Sequence, residues 1–304
     1  MTPFELTTSI SNGKELDEKI LAPYQGIYLG NAFCAEYEGN FLADFSALKR
    51  GVTQIKSWGK RAYLCTPAAP LTPDLPQVEK ILLEALKLPV DAIEVHSYGV
   101  MRMAQRLCPR IPLHLGGLSN LYTGATANIV KSWGVKRVTP NYELSLEDMT
   151  RIQQESQLPV ELLLHGKMPL GISEKCFLLN YQEESKLACP QICQEDFWLE
   201  SRGWELKTYG LLTLSGKDVC MIEHLPLIWQ KGFRTFRVEA ISEKPLYRQK
   251  VGEIYCQALQ AVTNGNFKFT PPWSRDLKSL SAKGLCNGFY FGQAGKDYVG
   301  QLQK

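Results

Sequence analysis

The chain reads as an α/β protein, a (β/α)8 barrel of the TIM type with a cysteine-bearing insertion between its seventh and eighth strands. Three observations predict this. Short β-rich segments alternate with helical ones eight times along the sequence. Strand followed by helix, repeated, requires parallel strands joined by right-handed crossovers. The length, 304 residues, exceeds the roughly 250 residues of a typical barrel by about one long loop. A doubly wound open sheet is the alternative built from the same alternation.

The eight strands are, in order, "PFELTTS", "GIYLG", "RAYLCTP", "AIEVHS", "IPLHLGG", "RVTPNYE", "VELLLHG" and, much later, "TFRVEA". Helical spacing fills the gaps, as in "FSALKRGVTQIKSWGK" and "QVEKILLEALKL", where Val78, Ile81, Leu82, Ala85 and Leu86 share one face. No linker divides the chain, so residues 1–304 form a single barrel domain. Residues 171–215 form the insertion.

A barrel places functional groups where strands end and their following loops begin. Side chains alternate across each strand. In "AIEVHS", Ile93 and Val95 face the outer helices, leaving Glu94 and His96 on the other side. The same period turns His114 inward between Leu113 and Leu115, and likewise Asn141, Glu143, Glu161, His165, Arg237 and Glu239. Three of the four histidines then converge on the C-terminal mouth. The bland reading makes some of these buried structural pairs, Glu161 with Arg237 above all. The functional reading makes Glu94, His96, His114, Glu143, His165, Arg237 and Glu239 the lining of a site for a small anionic, oxygen-rich ligand. There the guanidinium would fork onto a carboxylate and histidine would move protons.

A formal net charge of +3 without a lysine or arginine run disfavours a nucleic-acid or anionic-membrane surface. "MTPFELTTSI" lacks the cationic start and apolar stretch of a signal peptide. No apolar run approaches the ~20 residues of a transmembrane segment. These features predict a cytoplasmic protein, where nine cysteines point to metal or catalysis rather than disulfides.

The insertion exceeds the length of ordinary connections, and "KCFLLNYQEESKLACPQIC" places Cys176, Cys189 and Cys193 in it. Structural zinc and cubane iron–sulfur sites both take four protein ligands. Two cysteines compete for the fourth place. Cys220, in "SGKDVCMIEHLPLIWQKG", reads as the start of a helix. Cys34, in "GIYLGNAFCAEY", follows the second strand, whose loop opens on the same rim as the loop after the seventh. Spacing leaves zinc and iron–sulfur open. Cys65, Cys108 and Cys256 read as core residues. No Gly-x-Ser-x-Gly elbow, P-loop or His-Glu-x-x-His motif is present.

With these residues in view, the chain resembles the collagenase-like peptidase family, and within it the UbiV-like proteins of bacterial ubiquinone biosynthesis. The markers are "IYLGNAFC", "HGKMPLGISEKC", "ACPQIC" and "LCNGFYFG". The family's central motif reads His-Gly-x-x-Cys, then Tyr-Ser-x-x-Cys. Here His165, Gly166, Ser173 and Cys176 match, while Pro169 and Ile172 replace the first cysteine and the tyrosine. The UbiU-like type uses that first cysteine; the UbiV-like type uses one after an early "YLG" strand instead.

The resemblance therefore implies a [4Fe–4S] cluster on Cys34, Cys176, Cys189 and Cys193, with Cys220 the rival to Cys34. It further implies a heterodimer with a UbiU-like paralogue, a sterol-carrier-like lipid-binding partner, and oxygen-independent hydroxylation of a ubiquinone precursor with prephenate as oxygen donor. Related members hydroxylate RNA bases. Peptidase is then a family label, since no thiol has an obvious histidine base beside it and no serine sits in a nucleophile elbow, and no catalytic residue is assigned. The alternatives are an RNA base hydroxylase subunit and a non-catalytic scaffold stapled by metal.

Overall fold

The computed structural model describes residues 3–34, 39–181, 189, 191–195 and 197–300. Strand β1 (Glu5–Ile10) leads through the short helix α1 (Glu18–Leu21) to β2 (Gly26–Leu29), and α2 (Phe45–Ser57) leads on to β3 (Arg61–Cys65). The unit repeats as α3 (Leu75–Ala85) and β4 (Ala92–Val95), then α4 (Tyr98–Leu107) and β5 (Leu113–Leu115). It repeats again as α5 (Gly124–Ser132) and β6 (Val135–Val138), then α6 (Leu146–Ser156) and β7 (Glu161–Ile172). The insertion holds α7 (Phe177–Tyr181), β8 (Trp198–Ser201), β9 (Trp204–Tyr209) and the start of β10 (Leu212–Cys220). Helix α8 (Leu225–Gln230) returns the chain to β11 (Thr235–Glu239), followed by α9 (Pro245–Thr263), α10 (Pro271–Leu280) and β12 (Leu285–Cys286).

Strands β1 to β7 and β11 are parallel neighbours in the order β6-β5-β4-β3-β2-β1-β11-β7. The curled sheet returns on itself at one seam. Val138 forms a parallel bridge with Val160, and its N–H donates to Pro159 O at 3.0 Å. The expected barrel-type α/β architecture is therefore present, and the open-sheet alternative falls because both ends of the sheet meet.

Local chemistry explains the elements. Asp44 caps α2 by accepting from Ala47 N at 2.9 Å, and the helix buries Ala47, Leu48, Gly51, Val52 and Ile55. In α3, Val78, Ile81, Leu82 and Ala85 are buried as its spacing predicts. Leu86 departs from that face: it is the C-cap residue and 48% exposed, because the helix ends before the stripe does. Each fully buried aliphatic side chain contributes about 1.5–3 kcal/mol over an exposed one. The main core thus lies between sheet and helices, where Leu6, Ile27, Leu29, Leu64, Ile93, Val95, Phe236 and Val238 pack.

A second, smaller cluster occupies the barrel mouth. Tyr28, Tyr63 and Cys65 of the barrel meet Phe33 and, from the insertion, Tyr209, Leu212 and Leu214. The described part of the insertion thus includes a covering hairpin. Strand β7, read from sequence as ending at Gly166, continues to Ile172 because β10 runs back along it antiparallel. Strands β9 and β8 extend that ribbon.

One irregularity decides the orientation of a candidate residue. Along β7 and β11, Leu163 pairs with Arg237 but His165 pairs with Val238, so Leu164 is an extra residue in the ladder. Such a bulge shifts the side-chain period by one. Gly166 follows with φ +112, and a Cβ there would stand 1.9 Å from Glu239 O. Only glycine fits. Cys220, expected at a helix start, instead ends β10 opposite His165; the helical turn begins at Ile222.

Candidate functional site

The barrel interior is charged, and its two guanidiniums are paired with carboxylates. Arg237 donates to Glu94 and lies 2.9 Å from Glu161 Oε2, with its guanidinium 4.1 Å from the Tyr28 ring centroid. Arg137 binds Glu5 and reaches Glu161 Oε1 at 3.4 Å. Thr7 Oγ1 donates to the same Glu161 oxygen at 2.9 Å, and the Tyr28 hydroxyl shares a 2.9 Å hydrogen bond with His114 Nδ1. Glu5 also accepts from Tyr63 and, at 2.8 Å, from Arg61.

Burial alone would raise the pKa of Glu94, but Arg237 and His96 outweigh it and hold the carboxyl below the usual carboxylate range. His114 is pushed well below an ordinary histidine by burial and by Arg137. A buried guanidinium needs counter-charge. Arg237 has it in two carboxylates, Glu94 and Glu161, both met by its Nη2, while its Nε has no hydrogen-bond partner among the described residues.

The other expected lining residues divide. Glu239 accepts from Ser9 Oγ at 3.0 Å and Ile241 N at 3.1 Å, and burial raises its pKa. His96 is buried with Nε2 3.6 Å from Glu94 Oε2, its ring 5.8 Å from that of Phe33. Gly116 makes room for it, since a Cβ there would lie 2.1 Å from the imidazole. Glu143 stands apart: it is exposed, accepts from Tyr122 at 3.4 Å, and lines a separate cavity of about 260 Å³ with Asn141 and Leu170.

His165 is the clearest correction. The Leu164 bulge turns it out of the barrel onto α9, where Nδ1 lies 3.2 Å from the Tyr255 hydroxyl and the ring meets Tyr247. Burial, reinforced by Lys167, lowers its pKa to about 3. Two of the four histidines, His96 and His114, therefore remain on the barrel side.

Sequence reasoning missed Glu5, Arg137, Tyr28 and Tyr63. The signal was present: the two-residue period that turns Asn141 inward reaches Arg137 through Thr139, and Glu5 alternates with Thr7.

The thiols gather on the rim. Cys34 is held by a loop in which Asn31 Oδ1 accepts from Phe33 N and Cys34 N, at 3.0 and 3.2 Å, and Asn40 Nδ2 donates to Cys34 O at 3.0 Å. It rests against Gly210, in the turn between β9 and β10 at φ +59, where a Cβ would lie 3.4 Å from Cys34 Sγ. Cys193 reaches the same glycine. Burial pushes its thiol up to about 11, opposed by a backbone hydrogen bond with Gly210 and reinforced by Cys189 and Cys176. Cys34 and Cys193 thus share Gly210 as a neighbour, and Cys189 and Cys176 act electrostatically on Cys193.

Cys220 does not join them. It lies in the main core, 3.6 Å from the Tyr255 hydroxyl, and burial pushes its thiol up to about 12. Four half-buried thiols form a donor set suited to a soft, tetrahedral thiolate centre, whether zinc or an iron–sulfur cubane. Among the described residues, no three histidine, cysteine, aspartate or glutamate side chains already stand in ligating geometry.

A barrel whose buried guanidiniums are paired, with a thiol-bearing ribbon over its mouth, defines a class of protein rather than an activity. The chain belongs to peptidase family U32, whose model matches residues 14–300. It is 28% identical over 289 residues to an uncharacterized protease of Methanocaldococcus jannaschii, covering 89% of this chain and 70% of that one. A tRNA hydroxylation protein P of Helicobacter pylori is 22% identical over 304 residues, covering 95% and 72%. A collagenase of Porphyromonas gingivalis is 22% identical over 310 residues, covering 95% and 74%. No described helix is long and apolar enough to cross a membrane.

Proposed function

We propose that this chain is an iron–sulfur subunit of an oxygen-independent hydroxylation system, with a [4Fe–4S] cluster on Cys34, Cys176, Cys189 and Cys193. One observation carries the proposal: Cys34 and Cys193, far apart in sequence, both abut Gly210, with Cys189 and Cys176 close enough to act on Cys193. Such a cluster supplies one-electron transfer or a Lewis-acidic iron when bound. The chain's own contribution is positional. Asn31 and Asn40 fix the Cys34 loop, Gly210 leaves room for the sulfurs, and Tyr209, Leu212 and Leu214 exclude water beneath.

The hydroxylation reading draws on relatives named tRNA hydroxylation protein P. The UbiV-like motif pattern, with Pro169 in place of a family cysteine, favours a quinone precursor as substrate. Prephenate would be the oxygen donor, a UbiU-like paralogue the other subunit, and a sterol-carrier-like protein the lipid-binding partner. The relatives' name also favours a second reading, hydroxylation of an RNA base, against which the absence of a basic run counts.

Deleting the gene and growing the cells without oxygen separates them. The first reading expects ubiquinone to fall while RNA nucleosides stay unchanged. Unchanged ubiquinone with a lost hydroxylated nucleoside would overturn it in favour of the second.

A further inference from the structure

Beside the thiols lies an open groove of about 820 Å³, within the size range of small-molecule sites. Gln191 and Gln194, which bracket Cys193, form one wall, together with Tyr209, the residue before Gly210. The rest of the lining comes from the loops after β1 and β11 and from the start of α2.

The charges on these walls are unequal in commitment. Three carboxylates line the groove, and each is already bonded. Glu15 accepts from Ser11 N at 2.9 Å and from Arg248 at 2.7 Å. Asp44 caps α2. Glu243 accepts from Lys167 at 2.8 Å and lies 3.7 Å from Lys207 Nζ. Three cations line it as well, Lys14, Arg50 and Lys244, all exposed and none paired with a described carboxylate. Lys244 is also the N-cap of α9, makes no side-chain capping bond, and so leaves the positive end of a 19-residue helix facing the groove.

We propose that this groove is a receptor for a small organic dianion bearing carboxylate or phosphate groups, held by Lys14, Arg50 and Lys244 next to the thiols. As a route for substrate it rests on the hydroxylation reading; as a binding site it stands without it. Arg50 supplies a planar fork for a carboxylate or phosphate. Lys244 with the α9 terminus supplies a second anchor, which suits a ligand charged at two points. The uncommitted cations lie on this rim, while Arg237 inside the barrel is neutralised by Glu94 and Glu161.

Calorimetric titration of the full chain, kept without oxygen, tests this with succinate, inorganic phosphate and neutral succinamide as probes. Succinate or phosphate should bind, and whichever binds more tightly identifies the anionic group. Binding should weaken about tenfold or more, one step of 1.4 kcal/mol, in a doubly substituted R50E/K244E chain. It should stay unchanged in K136E, which alters an exposed lysine of β6 outside the groove. Binding of neither anion, equal binding of succinamide, or no effect of R50E/K244E would overturn the proposal. Iron and sulfide content of the same samples reports on the cluster separately, so failure of one claim is distinguishable from failure of the other.

Discussion

The barrel interior and the thiol rim are built on opposite principles. Inside, each guanidinium lies between two carboxylates: Arg237 between Glu94 and Glu161, and Arg137 between Glu5 and Glu161. On the rim, the half-buried thiols Cys34 and Cys193 both adjoin Gly210, Cys176 and Cys189 act on Cys193, and three cations border a groove without described carboxylate partners. Polar residues within a barrel are therefore a poor guide to function when they satisfy one another. Groups that remain unsatisfied, or that the fold draws together from distant loops, are the better guide. Breaking the interior should break the fold, and changing the rim should change chemistry while leaving the fold intact.

The largest expected effect is inside. Arg237→Ala leaves Glu94 and Glu161 buried without their shared cation, which costs about 3–5 kcal/mol. Urea unfolding would show it as a lowered midpoint; a change below about 1 kcal/mol would mean that water already reaches this network.

The next effect follows from His165. Its folded pKa is lowered from 6.5 to about 3 by burial, so the unfolded chain binds the extra proton between those values. Stability is complete above pH 6.5 and declines as pH falls toward 3, by about 1.4 kcal/mol per unit from this group. Glu94, also held low, adds its loss below the ordinary carboxylate range. His165→Phe should flatten the slope between pH 6 and 5; an unchanged slope there would place its origin elsewhere.

Rim changes should be milder in stability and sharper in function. Gly210→Ala places a methyl in the left-handed region against Cys34, which costs about 1 kcal/mol. Its cluster content should fall well before its melting temperature does. Cys176→Ser, at a half-buried position, should alter stability of the metal-free chain by no more than about 0.5 kcal/mol. The same substitution should abolish iron binding, as read by iron analysis.

Much of the barrel was legible because buried parallel strands are short apolar runs with turn residues between them. The covering ribbon was not, although its signals exist. Arg202 and Gly203 form a two-residue turn between Ser201 and Trp204, and Gly210 separates β9 from β10. The stretch reads as a long loop from sequence because a hairpin's pairing is visible only once both strands are considered together.

His165 illustrates a deeper limit. Its alternation with Glu161 is correct on paper, and the extra residue at Leu164 shows itself only in register with β11. Arg237 shows another: facing inward was readable, but its saturation by Glu94 and Glu161 depends on which strands stand opposite. Cys34 was readable as a rim residue because the loops after the second and seventh strands of a barrel open on one side.

The most direct measurement is iron and sulfide content after purification without oxygen, comparing the unaltered chain with Cys34→Ala and Cys220→Ala. The unaltered chain and Cys220→Ala should be brown, with about four iron and four sulfide each, whereas Cys34→Ala should lose most of both. A colourless zinc protein, or a cluster that survives loss of Cys34 and disappears with Cys220, would contradict the assignment.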